Sequence, residues 1–364
     1  MPSDESADAA TPRRPRLTPP IADVRRAVRD VLPAAGRGSD TGAVSGPGDD
    51  RFETRSALLD PQTAPLVLVA LSGGADSLAL AAATAFEAPR AGWRAGAVIV
   101  DHGLQSGSAD VAARAARQAR ELGLDPVVVR AVEVSGEGGP EASARTARYA
   151  ALDAVADETG ATVVLLGHTL DDQAETVLLG LARGSGTASL AGMPARSGRY
   201  ARPLLAVRRA TTRHACRDAG LEPWDDPHNT DPSYARVRVR ERVLPMLEAE
   251  LGPGIADALV RTAAQLREDE SAFAEQIDEF IEEICEPAEA GIAVSARALA
   301  ANPAALRQRI IRHVVASEFG VSLTRAQTLE VARLVTDWHG QGPIDLPDGV
   351  RARRERGLLV FSAG

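Results

Sequence analysis

Six residues, Ser72-Gly73-Gly74-Ala75-Asp76-Ser77, carry the chemistry most easily read from this chain. They follow the wholly apolar run Leu66–Leu71 and precede a helical pattern that starts near Ser77. A run that is apolar on both faces reads as a strand covered on both sides, as in a parallel sheet. Gly73 and Gly74 remove the Cβ atoms that would keep a bulky ligand from the backbone. Free N–H groups and the positive dipole end of the next helix make such a corner an anion site. Asp76 sets a carboxylate beside that anion, and a divalent cation between carboxylate and phosphates removes the repulsion. The corner is therefore read as a site for a nucleotide with Mg²⁺. The plainer alternative is a strand-to-helix turn with serine as its cap.

Further polar residues follow other strand-like runs. Asp101 and His102 come directly after the run ending in Val100 and read either as a turn or as part of the same site. Asp172 and Glu175 lie three apart at a helix start and so share a face. They complement the helix dipole, or together they seat an ammonium group or a second metal contact. Arg145 is four residues after Glu141, which suits a surface ion pair or a guanidinium reaching toward phosphates. Arg183-Gly184-Ser185-Gly186 reads as a helix cap or as a loop that orders over a substrate. The loop at 72–77 lacks the Gly-Lys-Ser/Thr end of a Walker A motif and the Gly-x-Gly-x-x-Gly of a dinucleotide site. No lysine occurs anywhere, so all 41 basic residues are arginine and no Schiff base or phosphate-gripping lysine is available.

The elements needed to position these residues alternate. Strands are expected at Leu66–Leu71, Arg94–Val100, Pro126–Val132 and Thr162–Gly167. Helices are expected at Ser77–Phe86, Ala109–Leu122, Glu141–Glu158 and Asp171–Leu181. Strands joined by single helices give right-handed crossovers and an α/β fold, an open parallel sheet with helices on both faces. Ligands in such sheets sit beyond the C-terminal strand ends, where every candidate above falls. Residues 1–52 read as a disordered or linker extension with one short amphipathic helix at Ile21–Val31, and residues 53–232 as the nucleotide-binding domain. Residues 233–364 read as a mainly helical domain ending in a short β tail around Pro347-Asp348-Gly349.

At 364 residues there is room for two domains. No apolar run approaches the roughly 20 residues of a membrane span. The acidic start of the chain does not resemble a signal peptide, which leads to an expected cytoplasmic location. Cys216 and Cys285 form no Cys-x-x-Cys and read as packing residues. The net charge of −9 argues against indiscriminate nucleic-acid binding, yet Arg196–Arg242 holds eleven arginines against six acids. That local excess suits selective contact with a phosphate backbone.

Together these blocks resemble the tRNA(Ile)-lysidine synthetase family of N-type ATP pyrophosphatases, the PP-loop superfamily. The matching segments are Ser72–Ser77, Asp101-His102-Gly103-Leu104, Glu141-Ala142-x-x-Arg145-x-x-Arg148-Tyr149 and Gly167-His168-x-Leu170-Asp171-Asp172-Gln173-Ala174-Glu175-Thr176. Arg183–Gly186, Gly192-Met193 and Asp225-Asp226 with Asn229 and Asp231 extend the match, which covers about residues 65–247. The resemblance implies that ATP adenylates C2 of the wobble cytidine in a tRNA(Ile) with a CAU anticodon, releasing pyrophosphate. The ε-amine of free L-lysine then displaces AMP, and codon reading changes from AUG to AUA.

By the same resemblance, Ser72, Gly73, Gly74, Ala75, Asp76 and Ser77, with Asp101 and His102, bind ATP, and Asp76 holds Mg²⁺. Arg145 meets the α-phosphate region, and Asp172 and Glu175 hold the lysine. Val237 stands where the family often has asparagine, and the chain beyond residue 247 suits one C-terminal domain. A homodimer is compatible with the sequence. The competing readings are another PP-loop ligase or tRNA-modifying enzyme, and a nucleotide-binding sensor that does not turn ATP over.

Overall fold

The computed structural model describes residues 17–34, 63–103, 107–132, 140–184, 186–288 and 291–363. It divides into two compact units, Met1–Ala264 and Gln265–Gly364. The boundary expected at 232/233 therefore moves to 264/265, inside the long helix Ile255–Ile284.

The first unit is built from helix α1 (Pro19–Val31), strand β1 (Leu66–Ala70), α2 (Ala75–Glu87), β2 (Arg94–Asp101), α3 (Ser108–Glu121), β3 (Val127–Ala131), α4 (Pro140–Thr159), β4 (Ala161–Leu165) and α5 (Leu170–Ala182). It continues through α6 (Thr187–Leu190), β5 (Arg196–Ser197), β6 (Tyr200–Ala201), α7 (Arg209–Asp218), α8 (Ala235–Arg238) and α9 (Leu244–Leu251). The strands form one sheet in the order β3-β2-β1-β4-β6-β5. All neighbours are parallel except β5 and β6. The expected α/β fold is thus present, and the order reverses between β1 and β4, where such a sheet opens a ligand crevice.

Alternation along β1 places its side chains in two cores. Val67, Val69 and Leu71 pack with Leu78 and Leu80 of α2 and with Ala115 and Ala119 of α3. Leu66, Leu68 and Ala70 pack with Leu152, Val155 and Ala156 of α4. Burying each leucine fully contributes about 1.5–3 kcal/mol, which fixes the register and so the loop at the strand's end. α2 starts at Ala75, two residues earlier than expected, so Asp76 belongs to its first turn. α5 starts with a reciprocal cap: the Asp172 carboxylate accepts from the Thr169 N–H and hydroxyl at 2.8 Å each, and the Thr169 hydroxyl accepts from the Asp172 N–H.

The extension expected over residues 1–52 needs correction in one part. α1 is folded against α2 and α7, with Val24 and Val28 buried. Arg29 grips the Glu87 carboxylate with two 2.9 Å bonds, and the Thr18 hydroxyl donates to Asp218. Its 3.6-residue apolar spacing had predicted a helix; what covers it could not be read locally. Residues 1–16 and 35–62 lie outside the described residues.

The second unit contains the end of α10 (Ile255–Ile284), β7 (Cys285–Ala288), β8 (Gly291–Ser295), α11 (Ala296–Ala301), α12 (Ala304–Phe319), α13 (Arg325–Thr336), β9 (Ile344–Asp345), β10 (Val350–Glu355) and β11 (Leu358–Ala363). The expected β tail is there, but it belongs to a five-stranded antiparallel sheet, β7-β8-β11-β10-β9. Phe361 is fully buried in its core with Leu299, Ile310 and Leu334. The hairpin β7–β8 fell inside a stretch expected to be helical, because its Ala, Glu and Pro carry little β signal.

Candidate active site

The glycine corner closes on itself. Ser77 Oγ accepts from the Ser72 N–H at 3.2 Å, lies 3.1 Å from Ser72 Oγ and donates to the Gly74 carbonyl at 3.0 Å. Gly73 has φ +85°, a conformation that favours glycine. Its carbonyl accepts the Trp224 N–H at 2.9 Å, so a distant segment pins the loop. Gly167 ends the β4 run against the same corner: a Cβ there would stand 3.1 Å from the Ser77 nitrogen. Beside the corner, beyond the ends of β1 and β2, lies a cleft of about 210 Å³ lined by Leu71, Ser72, Val98, Asp101, His102, Arg148 and Trp224.

Asp101 and His102 thus reach the cleft as expected. The Asp101 carboxylate accepts the Gly103 N–H at 3.0 Å and holds the turn. Among the described residues His102 Nδ1 is buried with no partner; burial and then the Arg148 charge lower its pKa. His168 Nδ1 is likewise buried with no partner among them, and burial drives its pKa down to about 4. Both imidazoles are neutral at physiological pH.

Arg145, expected to meet the α-phosphate region, is exposed, with its guanidinium 5.0 Å from the Tyr149 ring centroid in a cation–π contact and its charge felt by His168. Arg148, one turn further along α4, is the arginine in the cleft wall. Among the described residues no carboxylate pairs with it, and burial lowers its pKa. The Glu141 side chain, the expected partner of Arg145, lies outside the described residues.

Asp76, Asp172 and Glu175 do converge, and arginines occupy the space between them. Arg209, at the start of α7, reaches Asp172 Oδ1 at 2.6 Å, Glu175 Oε1 at 3.3 Å and Asp76 Oδ2 at 3.5 Å. Arg240 holds Glu175 through bonds of 2.7 and 3.0 Å. Arg236 approaches the same carboxylate at 3.8 Å and bonds the Thr176 hydroxyl. Glu175 is completely buried, so the expectation of two open carboxylates gives way to a closed ion-pair cluster. The sequence argument expected an ammonium group or a metal contact to face these acids; in the structure arginines from later segments of the chain do so.

The environment separates the acids. Burial raises the pKa of Asp76, offset in part by the Thr212 hydroxyl that donates to it and by Arg209. Burial also disfavours ionised Asp172, but the Arg209 charge and the bonds from Thr169 outweigh it and hold the pKa below the usual range. Cys216 packs beneath, donating to the Ala75 carbonyl at 3.3 Å, its thiol pushed up to about 12 by burial. It is the packing residue expected. Among the described residues no three His, Cys, Asp or Glu side chains could hold a metal on their own. Asp76, a single hard oxygen donor in the phosphate corner, fits the habit of Mg²⁺, which prefers one or two carboxylates plus substrate phosphates.

The arginine-rich segment is less free than its composition suggests. Arg199, Arg208, Arg209, Arg213, Arg236 and Arg240 are all ion-paired, several to acids outside the segment such as Asp153, Asp157 and Asp257. Arg148, Arg209, Thr212 and Trp224 were not among the residues picked from the sequence. Only Arg148 carried a signal, its place in a block of cleft-end residues.

A strand–glycine loop–helix corner at the reversal of a parallel sheet, with an aspartate in the first helical turn, defines a PP-loop nucleotide-binding domain. Residues 49–247 match the family described as PP-loop domain, and residues 295–360 the one described as TilS substrate binding domain. The chain belongs to the tRNA(Ile)-lysidine synthase family. It is 65% identical to the tRNA(Ile)-lysidine synthase of Leifsonia xyli subsp. xyli, over 81% of this chain and 89% of that one. It is 52% identical to that of Thermobifida fusca over 86% and 96%, and 49% identical to that of Salinispora tropica over 94% and 97%. A solved structure, the U34-tRNA thiolase NcsA of Methanococcus maripaludis with its [4Fe-4S] cluster, superposes with a TM-score of 0.50 at 19% identity. It covers 68% of this chain and 80% of its own, a likeness of fold.

Proposed function

We infer that the protein is an ATP-dependent ligase that converts the wobble cytidine of a CAU-anticodon tRNA(Ile) to lysidine. The carrying observation is that Arg209 links Asp76, in the first turn after the PP-loop, to Asp172 and Glu175, an arrangement that would bring a nucleotide and an amine to one place. The reaction proceeds in two steps. The C2 oxygen of cytidine attacks the α-phosphorus of ATP and pyrophosphate leaves. The lysine ε-amine then adds at C2, the C2–O bond breaks and AMP departs, with the ammonium proton given up on the way.

Ser72–Ser77 cradle the pyrophosphate portion with backbone N–H groups and the dipole end of α2. Asp76 would hold Mg²⁺, which when bound offsets phosphate charge. Arg148, a guanidinium in the cleft wall with no carboxylate partner among the described residues, is suited to the charge that builds at the α-phosphate. His168, neutral and with a nitrogen that has no partner among the described residues, is suited to accept a hydrogen bond from the incoming amine. Asp172 orients that amine; Glu175, sealed by three arginines, sets their positions. The unit carrying the TilS substrate binding match would contact the tRNA. No helix among the described residues is long and apolar enough to cross a membrane, in keeping with work in the cytoplasm.

Incubation with ATP, L-lysine and an unmodified CAU-anticodon transcript, followed by RNase digestion and mass spectrometry, tests this. One cytidine should gain a lysyl mass. AMP formed with no such gain would point to another acceptor and to a different PP-loop ligase.

A further inference from the structure

Arg209 has a geometry that a simple surface ion pair does not need. Each of its three side-chain nitrogens faces a different carboxylate: Nε faces Asp76 at 3.5 Å, Nη2 faces Asp172 at 2.6 Å and Nη1 faces Glu175 at 3.3 Å. Its backbone N–H donates to Asp171 at 2.7 Å, tying the start of α7 to the start of α5. Asp76 belongs to the phosphate corner and Asp172 to the amine seat, so one guanidinium spans both halves of the site.

The oxygens of Asp172 are already engaged. Oδ2 accepts from the Thr169 N–H and hydroxyl, and Oδ1 accepts from Arg209, with Arg240 3.6 Å away. Charge in the cluster is also matched, with Asp76, Asp172 and Glu175 facing Arg209, Arg240 and Arg236. An ammonium arriving at Asp172 would find no unbalanced negative charge and two guanidinium groups close by. Phosphate oxygens change this, because a guanidinium bonds phosphate as readily as carboxylate and in the same two-pronged manner.

We propose that Arg209 is a positioning residue that occupies the amine's place on Asp172 until a nucleotide phosphate draws it off, making lysine binding depend on nucleotide. The proposal rests on the reading of Asp172 as the amine seat. It requires no movement of the backbone, only a change of partner by one side chain that is 19% exposed. Coupling of this kind is reciprocal: lysine must tighten nucleotide binding by the same factor.

Calorimetric titration of L-lysine into the full chain, with and without Mg²⁺ and α,β-methylene-ATP, reads the coupling without turnover. Lysine should bind at least about tenfold more tightly with the nucleotide present, a coupling in the ordinary range. In Arg209→Gln the two values should converge to within about threefold, because lysine binds the nucleotide-free protein more tightly than before. Equal lysine affinities with and without nucleotide in the unaltered protein, with Asp172→Asn weakening both, would overturn the proposal and leave the amine seat standing. Lysine affinities untouched by Asp172→Asn would instead remove the seat itself. The comparison in the unaltered protein needs no variant to fold.

Discussion

Glu175 offers the sharpest test of the site's construction. The sequence suggested a carboxylate that binds substrate; the structure surrounds it with Arg209, Arg240 and Arg236 and leaves it no exposed surface. Glu175→Gln keeps the volume and removes the charge. Breaking a buried pair from one side costs about 3–5 kcal/mol, because the partner is left uncompensated. Here the guanidinium groups are 19, 21 and 40% exposed and keep part of their hydration, which favours the lower end, about 3 kcal/mol. For a unit of this size each kcal/mol moves the melting temperature by about 2–4 °C, so a fall of about 6–12 °C is expected. Differential scanning calorimetry and urea unfolding, both without substrates, supply the measurement. A melting temperature within about 2 °C of the unaltered protein, together with a raised Michaelis constant for lysine, would refute the anchoring role and restore Glu175 as a direct ligand.

Other outcomes follow from the same geometry. Asp76→Asn should raise the stability of the substrate-free protein while abolishing pyrophosphate release, since burial already disfavours the ionised carboxylate; a lowered melting temperature would contradict this. His168 has its pKa depressed to about 4, so between that value and about 6.5 the unfolded chain binds a proton that the native state does not. The shift has no effect above about pH 6.5 and destabilises the native state increasingly as pH falls toward 4, by up to about 3 kcal/mol, and His168→Gln should flatten that part of the stability–pH curve. Leu152→Ala should cost about 2–5 kcal/mol by opening a void between α4 and β1, read from urea midpoints. Gly167→Ala should impair nucleotide binding, because its Cβ would press on the Ser77 nitrogen; unchanged affinity for the ATP analogue would count against the close approach.

The β–loop–α core was legible because its signals are local. An unbroken apolar run, two glycines and a helix start occupy adjacent positions, and the strand-to-helix alternation repeats through β4. Asp76, Asp101 and His102 were singled out for the same reason, as residues at strand ends, and the structure sets them at the C-terminal edge of the sheet. Arg209 and Trp224 were not, since nothing near them marks the carboxylates or the carbonyl they meet more than 30 residues away in sequence. Arg145 was preferred to Arg148 on spacing to Glu141, yet the face of α4 turned to the cleft depends on which side packs on β1. The arginine excess at 196–242 was counted correctly, but composition does not reveal which charges are neutralised by acids brought in from elsewhere.

The helix α1 lies before the span matched by the PP-loop family, yet its seat is made by α2 and α7 together. Thirteen residues are too few to hold a helix in water unaided. During synthesis the segment therefore leaves the ribosome long before Ala215 and Leu221 exist to receive it. Its seat is complete only once α7 has been made. A shortened version cut at the start of the family match would lose this cover permanently, stripping solvent protection from Ala79, Ala83 and Ala215 behind the helices that carry Asp76 and Arg209.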